Sequence, residues 1–182
     1  MKDLLGDGLS DYLAAMERPP VRGLRLNPLK GERPADARLL AGAGLSLSPV
    51  AWEEGAFVFA GAEHIGASPL HHAGAFYIQE PSAMLPVACL PLSPGMRVLD
   101  LCAAPGGKSA QLAARIGETG LLVSNEIDRR RCDVLLSNLE RMGARNAVVT
   151  NTDAATLAGA MPDYFDAVVV DAPCSGEGMF RK

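Results

Sequence analysis

Arg97-Val98-Leu99-Asp100-Leu101-Cys102-Ala103-Ala104-Pro105-Gly106-Gly107-Lys108-Ser109 is the stretch that decides the fold. Arg97 to Leu101 reads as a strand, a glycine-rich turn follows, and Lys108 to Ile116 reads as a helix. Strand, turn and helix in that order open a βα unit. The same punctuation continues downstream. Leu121 to Asn125 predicts a second strand, and Asp128 to Met142 a second helix that stops at Gly143. Ala147 to Thr150 predicts a third strand, Asp153 to Ala160 a short helix, and Phe165 to Val170 a fourth strand. Strands this continuously apolar, alternating with helices, predict a parallel sheet buried on both faces: a doubly wound α/β domain.

Upstream the texture changes. Residues 1–80 are rich in Gly, Pro and Ala, with short apolar stretches that predict a small α+β module. Asp11 to Met16 is the end of a helix stopped by Pro19-Pro20. Leu24-Arg25-Leu26 alternates as a half-buried strand does, with Arg22 and Arg25 on its wet side. Phe57-Val58-Phe59 and Phe76-Tyr77-Ile78 are further strands. Pro81 opens a helix and a second domain, residues 81–182, although Pro86 complicates the helix's first turn. Six basic residues between Arg18 and Arg38 outnumber the acids, which reads as a solvated surface or, alternatively, an RNA-facing patch.

Composition narrows the classes. With 48% apolar and 21% charged residues, the chain is neither disordered nor fibrous. No apolar run approaches the ~20 residues that span a bilayer. Met1 to Asp7 is broken by acids and glycine and is no signal peptide. Four irregularly spaced cysteines then imply reduced thiols in the cytoplasm. A net charge of −4 argues against nucleic-acid binding by bulk charge, though not against a local basic face.

In open α/β sheets ligands bind beyond the carboxyl ends of the strands, where the glycine turn lies. Gly107-Lys108-Ser109 matches the tail of a phosphate-binding P-loop, but Cys102 stands where its leading glycine belongs. The dinucleotide pattern Gly-x-Gly-x-x-Gly fails because Gly106 and Gly107 are adjacent. An adenosyl ligand, carrying no phosphate, fits better. Glu126 falls just past the second strand, where a carboxylate accepts from ribose hydroxyls. Asp153 falls just past the third, placed to accept from an adenine amino group, and Asp171 ends the fourth. Each acid alone also reads as a helix cap, Asp153 above all. Three at one sheet edge beside a glycine turn read as a site.

These residues carry a resemblance. Leu99 to Ser109 and Asp171-Ala172-Pro173-Cys174-Ser175-Gly176-Glu177-Gly178 together resemble the NOL/NOP/Sun family of RNA (cytosine-5)-methyltransferases, nearest to its bacterial RsmF-type 16S rRNA enzymes. Asn125-Glu126-Ile127-Asp128, Thr150-Asn151-Thr152-Asp153 and Tyr77 to Pro86 are similar to further family motifs, and Gly23 to Lys30 to its N-terminal RNA-binding module. The resemblance implies a Rossmann-like class I methyltransferase sheet in residues 81–182, using S-adenosylmethionine, behind an RNA-binding-like module in residues 1–80. It implies that Cys102, Ala103, Ala104, Pro105, Gly106, Gly107 and Lys108 wrap the cofactor's methionine and ribose portions. Glu126 takes the ribose, Asp153 the adenine edge, and Asp171 sits between cofactor and base. Arg131 reads as a solvated helix residue, with support of Glu126 as the alternative.

The implied reaction is covalent: a cysteine adds to carbon 6 of a cytosine, carbon 5 takes the methyl group, and the adduct breaks down. The target base must leave its stack, which suits loosened RNA, here 16S rRNA or the small ribosomal subunit. In the RNA family the attacking cysteine lies in a motif later than Lys182, so Cys174 is expected to assist adduct breakdown. A sheet of four strands points the same way, to a partial chain with little turnover alone. Cys89 and Cys132 read as small apolar helix residues and Cys102 as a turn-packing one. Arg22, Arg25, Lys30 and Arg33, then Arg129, Arg130 and Arg131, are the candidates for phosphate contact. His64, His71 and His72 lack zinc-site spacing and suit a polar loop, so no metal is expected. A non-catalytic cofactor- or RNA-binding module and, more remotely, a P-loop-like ATPase are the other classes.

Overall fold

The computed structural model describes residues 2–31, 33–61 and 64–174. Residues 22–172 form one compact unit, and the first 21 residues belong to another. Two short helices, α1 (Lys2–Leu5) and α2 (Leu9–Met16), make up that leading stretch together with a 3-10 turn between them.

The larger unit begins with an antiparallel sheet. Strand β1 (Gly23–Leu26) is followed by α3 (Arg33–Gly42), β2 (Ser46–Pro49), β3 (Ala56–Ala60), α4 (Pro69–His72) and β4 (Phe76–Ile78), with the strands in the order β2-β3-β1-β4. Leu24, Leu26, Leu40, Phe59, Ile65 and Phe76 form its core, all at or below 4% exposure. Leu24 and Leu26 point into that core, so Arg25 points the other way. The wet side expected for it does not exist: Arg25 is 2% exposed, because its face of β1 is covered rather than solvated.

A helix, α5 (Pro81–Ala88), leads into the second sheet. There β5 (Arg97–Asp100), α6 (Gly107–Ile116), β6 (Leu121–Asn125), α7 (Arg129–Met142), β7 (Ala147–Thr150), α8 (Ala154–Ala160) and β8 (Ala167–Val169) alternate, as the punctuation predicts. All three pairings are parallel, in the order β7-β6-β5-β8. The side chain of Asp128 caps α7 by accepting from the Arg131 N–H at 2.9 Å, and Gly143 ends the helix in the left-handed region at φ 73°. Between those ends Cys132, Leu135, Leu139 and Met142 recur at helical spacing and are buried. Leu135→Ala would cost about 2–5 kcal/mol, since the site is sealed on all sides.

Burial on both faces holds for the central strands only. Every residue of β6 after Leu121 is buried, but Val148 on β7 is 50% exposed and Val168 on β8 is 52% exposed. Those are edge strands, and among the described residues one side of each lacks a covering layer.

Strand β5 is the switch point. The chain leaves it for β6 on one side, and β8 returns to its other side, which opens a crevice beyond the carboxyl ends. Register places Asp100 opposite Ser124 on β6 and Val169 on β8, so Asp100 ends β5 on the same edge where Glu126 and Asp171 follow the ends of β6 and β8.

Candidate functional site

The loop from Leu101 to Gly106 is held by its carbonyl groups. Asn125 Nδ2 donates to Leu101 O at 3.2 Å and Arg131 to Ala104 O at 3.0 Å. Asn138 Nδ2 donates to Pro105 O at 2.8 Å, with the Tyr77 hydroxyl on the same oxygen at 3.4 Å. Arg25 donates to Gly107 O at 3.0 Å. Gly106 sits at φ 108°, a conformation that calls for glycine, and a Cβ there would also press on Leu135 Cδ1 at 3.1 Å. No side chain caps α6, which leaves the first N–H groups of that helix at the strand edge.

Acids surround this loop. Glu126 is 3% exposed; its Oε1 accepts from the Asp128 N–H at 3.1 Å, and its Oε2 lies 3.4 Å from the Arg131 guanidinium. Asn151 Nδ2 fixes the backbone there by donating to Glu126 O at 2.6 Å. Asp100 is 1% exposed, and its Oδ2 accepts from the Ser109 hydroxyl at 2.7 Å. Burial pushes its pKa up to about 6 against the opposing pull of that hydrogen bond and of Lys108. Asp171 pairs with Lys108 Nζ at 2.7 Å.

Two buried oxygens, Asp100 Oδ1 and Glu126 Oε2, accept no hydrogen bond among the described residues. Buried acceptors left open in this way suit a ligand that brings donors, such as an ammonium and ribose hydroxyls. The residues therefore fit S-adenosylmethionine.

The expected site residues do not all behave alike. Cys102 to Lys108, Glu126 and Asp171 share one strand edge. Asp153 has both carboxylate oxygens engaged with Thr156, its N–H at 2.9 Å and its hydroxyl at 2.7 Å, which realises the capping role. Those bonds pull its pKa down. The Cys102 thiol is pushed up, first by burial and then by Glu126, Asp100 and Asp171, so it stays protonated at neutral pH as a packing residue does. Cys174 is exposed and belongs to the other compact unit.

Four expectations need correction. Arg131 is not merely solvated: its guanidinium spans Glu126 and Ala104 O, because the first turn of α7 starts directly beside the loop. Arg25 is no phosphate contact, since it is buried against α6. His71 and His72 lie on α4, not in a loop, and Cys89 is an exposed residue just past α5. Of the remaining basic candidates, Arg22 is exposed with its guanidinium 4.5 Å over the Phe59 ring, and Lys30 donates to Ala73 O. Arg129 pairs with Asp133, Arg130 is exposed, and the side chain of Arg33 lies outside the described residues. No group of three metal-binding side chains occurs among the described residues. The Asp100–Ser109 pair and Asn125 escaped the reading, although a carboxylate inside an apolar strand was a visible signal.

A parallel sheet whose strand order reverses at β5, a glycine loop behind that strand and acids beyond its neighbours are the architecture of a class I S-adenosylmethionine-dependent methyltransferase. Residues 87–182 match the family described as 16S rRNA methyltransferase RsmB/F, and residues 1–81 match the N-terminal domain of 16S rRNA methyltransferase RsmF. The chain belongs to this RsmB/F methyltransferase family. It is 42% identical over 191 residues to ribosomal RNA small subunit methyltransferase F of Escherichia coli O17:K52:H18, covering all of this chain and 40% of that protein. The protein of the same name from Pectobacterium carotovorum is 42% identical over 190 residues, 39% of its length. The chain thus spans about 40% of these curated relatives. Among solved structures, a methyltransferase homologue from Pyrococcus horikoshii superposes with a TM-score of 0.88 at 31% identity, covering 97% of this chain and 58% of that one. NSun6 from Pyrococcus horikoshii with SFG shares the fold, with a TM-score of 0.83 at 17% identity over 95% of this chain and 68% of that one. No helix among the described residues is long and apolar enough to cross a membrane.

Proposed function

We propose that residues 81–182 bind S-adenosylmethionine and that residues 1–80 serve as an RNA-binding module. Together they form part of an enzyme that methylates carbon 5 of a cytidine in 16S rRNA, free or within the small ribosomal subunit. The supporting observation is a pair of buried acceptors that take no hydrogen bond among the described residues, Asp100 Oδ1 and Glu126 Oε2 (the latter met only by the Arg131 ion pair at 3.4 Å), beside a loop whose carbonyls are held from outside. Bound S-adenosylmethionine supplies an electrophilic methyl group. The chain's own residues bind and orient. Glu126 takes the ribose hydroxyls with Arg131 behind it, the N–H groups of Gly107 and Lys108 face the methionine portion, and Asp153 meets the adenine edge through the lone pairs its cap leaves over. Asp171, steadied by Lys108, hydrogen-bonds the target cytosine.

Cytosine carbon 5 becomes reactive once a thiolate has added at carbon 6. By the motif resemblance this chemistry uses a later cysteine as nucleophile, with Cys174 assisting elimination. Calorimetric titration of this chain with S-adenosylhomocysteine tests the binding half of the proposal. Glu126→Ala should weaken binding by at least about 30-fold, and stabilisation by ATP–Mg²⁺ instead would overturn the reading. Bisulfite sequencing of 16S rRNA from cells with and without the gene tests the other half. A cytidine whose protection disappears with the gene is expected; unchanged protection throughout would remove carbon 5 of 16S cytidine from the proposal.

A further inference from the structure

We propose that Arg25 is a positioning residue for the cofactor loop, so that the N-terminal sheet is a working part of the S-adenosylmethionine site. The inference rests on the cofactor reading above. Arg25 lies on β1 of the N-terminal sheet, 82 residues before its partner, and is 2% exposed. Its guanidinium donates to Gly107 O at 3.0 Å. Gly107 is the first residue of α6, so the oxygen is a helix carbonyl whose usual partner is a backbone N–H one turn on. Arg25 adds a charged donor from the side.

The consequence comes from peptide geometry. Gly107 C=O and Lys108 N–H belong to one planar trans unit and point in opposite directions. Holding the oxygen towards β1 therefore aims the Lys108 N–H out of the start of α6, to the strand edge. That N–H is among those a helix leaves without an internal partner. Two of the other loop carbonyls held by side chains work differently. Ala104 O precedes Pro105, which has no N–H, and the Gly106 N–H paired with Pro105 O is already spent on Ala103 O. Arg25 thus directs an amide that remains available to a ligand, as Asn125 on Leu101 O does for the Cys102 N–H; of those two braces, Arg25 is the one that comes from the N-terminal sheet. Tyr77 on β4 and Gln79 just past it close the back of the same residue: a Cβ on Gly107 would meet Tyr77 Cε1 at 3.1 Å and Gln79 Cδ at 3.2 Å.

Burying an arginine is costly unless its donors are satisfied and its charge is balanced. Arg25 lines a cavity of about 250 Å³ with Glu53, Glu54, Gln111 and Arg115, and Glu53 in turn pairs with Arg115 at 2.8 Å. Carboxylates thus balance the cations where the N-terminal sheet meets α6. A methionine would fill the volume at Arg25 without those requirements, so a structural role alone does not call for an arginine.

The test uses the full chain with Arg25→Met, Arg25→Lys and, as a control on an exposed cation elsewhere, Arg38→Met. Amide hydrogen exchange read by NMR without ligand forms one arm, and titration with S-adenosylhomocysteine the other. In Arg25→Met the bonded amides that close this turn, Gly106 on Ala103 O and Ala110 on Gly106 O, should exchange about tenfold faster while those of β6 keep their wild-type rates. Affinity should fall about tenfold, with Arg25→Lys recovering about half of that loss in free energy and Arg38→Met unchanged. If Arg25→Met fails to fold, Arg25→Lys carries both arms, with about threefold effects expected. A folded variant with wild-type exchange at Gly106 and Ala110 and wild-type affinity overturns the proposal. Should the wild-type chain itself not bind S-adenosylhomocysteine, the cofactor reading fails, and the exchange arm still decides whether Arg25 orders the loop.

Discussion

The Ser109 hydroxyl donates to Oδ2 of Asp100 over 2.7 Å, while the other oxygen of that buried carboxylate accepts nothing among the described residues. A half-satisfied carboxylate is costly to keep ionised, and its pKa rises from 3.8 to about 6. A raised acid pKa means that the native state holds the proton more tightly than the unfolded chain. The group therefore favours folding below pH 3.8, and that contribution is lost as pH climbs through about 6. Asp100→Asn stays neutral throughout. It should gain on the wild type by on the order of 3 kcal/mol between pH 4 and pH 7 in denaturant titrations. A gap that does not widen with pH would contradict the assignment.

Arg131 and Glu126 make a second comparison. Arg131 is more than half exposed, so its ion pair is screened and contributes little to stability. Its work is to hold Glu126 and the Ala104 carbonyl in place. Arg131→Met should leave the melting temperature nearly unchanged and weaken S-adenosylhomocysteine binding about fivefold, against the much larger loss in Glu126→Ala. Equal losses in the two variants would mean that Arg131 meets the ligand itself.

Asp153 caps α8, and one substitution can separate that role from the proposed one at the adenine edge. Asp153→Ser keeps a capping oxygen for α8 and removes the carboxylate; Asp153→Ala removes both. Thermal melts should show the serine variant close to wild type and the alanine variant lower. If the carboxylate meets the adenine edge, both lose affinity alike. Wild-type affinity in the serine variant would reduce Asp153 to a cap.

The four thiols should separate by reactivity. Cys89 and Cys174 are exposed, whereas Cys132 is buried and Cys102 is partly buried with its ionisation suppressed by burial and by nearby acids. Alkylation with iodoacetamide at pH 8, followed by peptide mass spectrometry, should label the first two at least about tenfold faster. S-adenosylhomocysteine should slow Cys102 further and leave Cys89 unchanged. Rapid labelling of Cys102 without ligand would mean that the loop opens.

The parallel sheet was legible because its signals are local. Apolar runs, Gly143 as a helix stop and Asp128 as a cap each act within a few residues, and the strands and helices fall where those signals put them. The strand-end acids at Glu126 and Asp171 were legible for the same reason. Arg25 was not. Its alternation with Leu24 and Leu26 says correctly that it faces away from their core, but alternation cannot say what covers the other face. Here that is α6, far away in sequence. Arg131 failed similarly: a helix position next to a cap looks solvated until the loop beside it is known. Val148 and Val168 mark the opposite limit, since apolar composition alone does not distinguish a central strand from an edge.

The span between Arg25 and Gly107 also has a meaning in time. A ribosome adds about 5–20 residues each second, so β1 waits roughly 4–16 seconds for the carbonyl that its arginine needs. Until then the N-terminal sheet carries a cation on a face that will later be sealed. That charge keeps the nascent face wetted and unattractive to other apolar chains. The docking of α6 then converts a solubilising group into an internal strut, which makes synthesis order and final architecture two aspects of a single side chain.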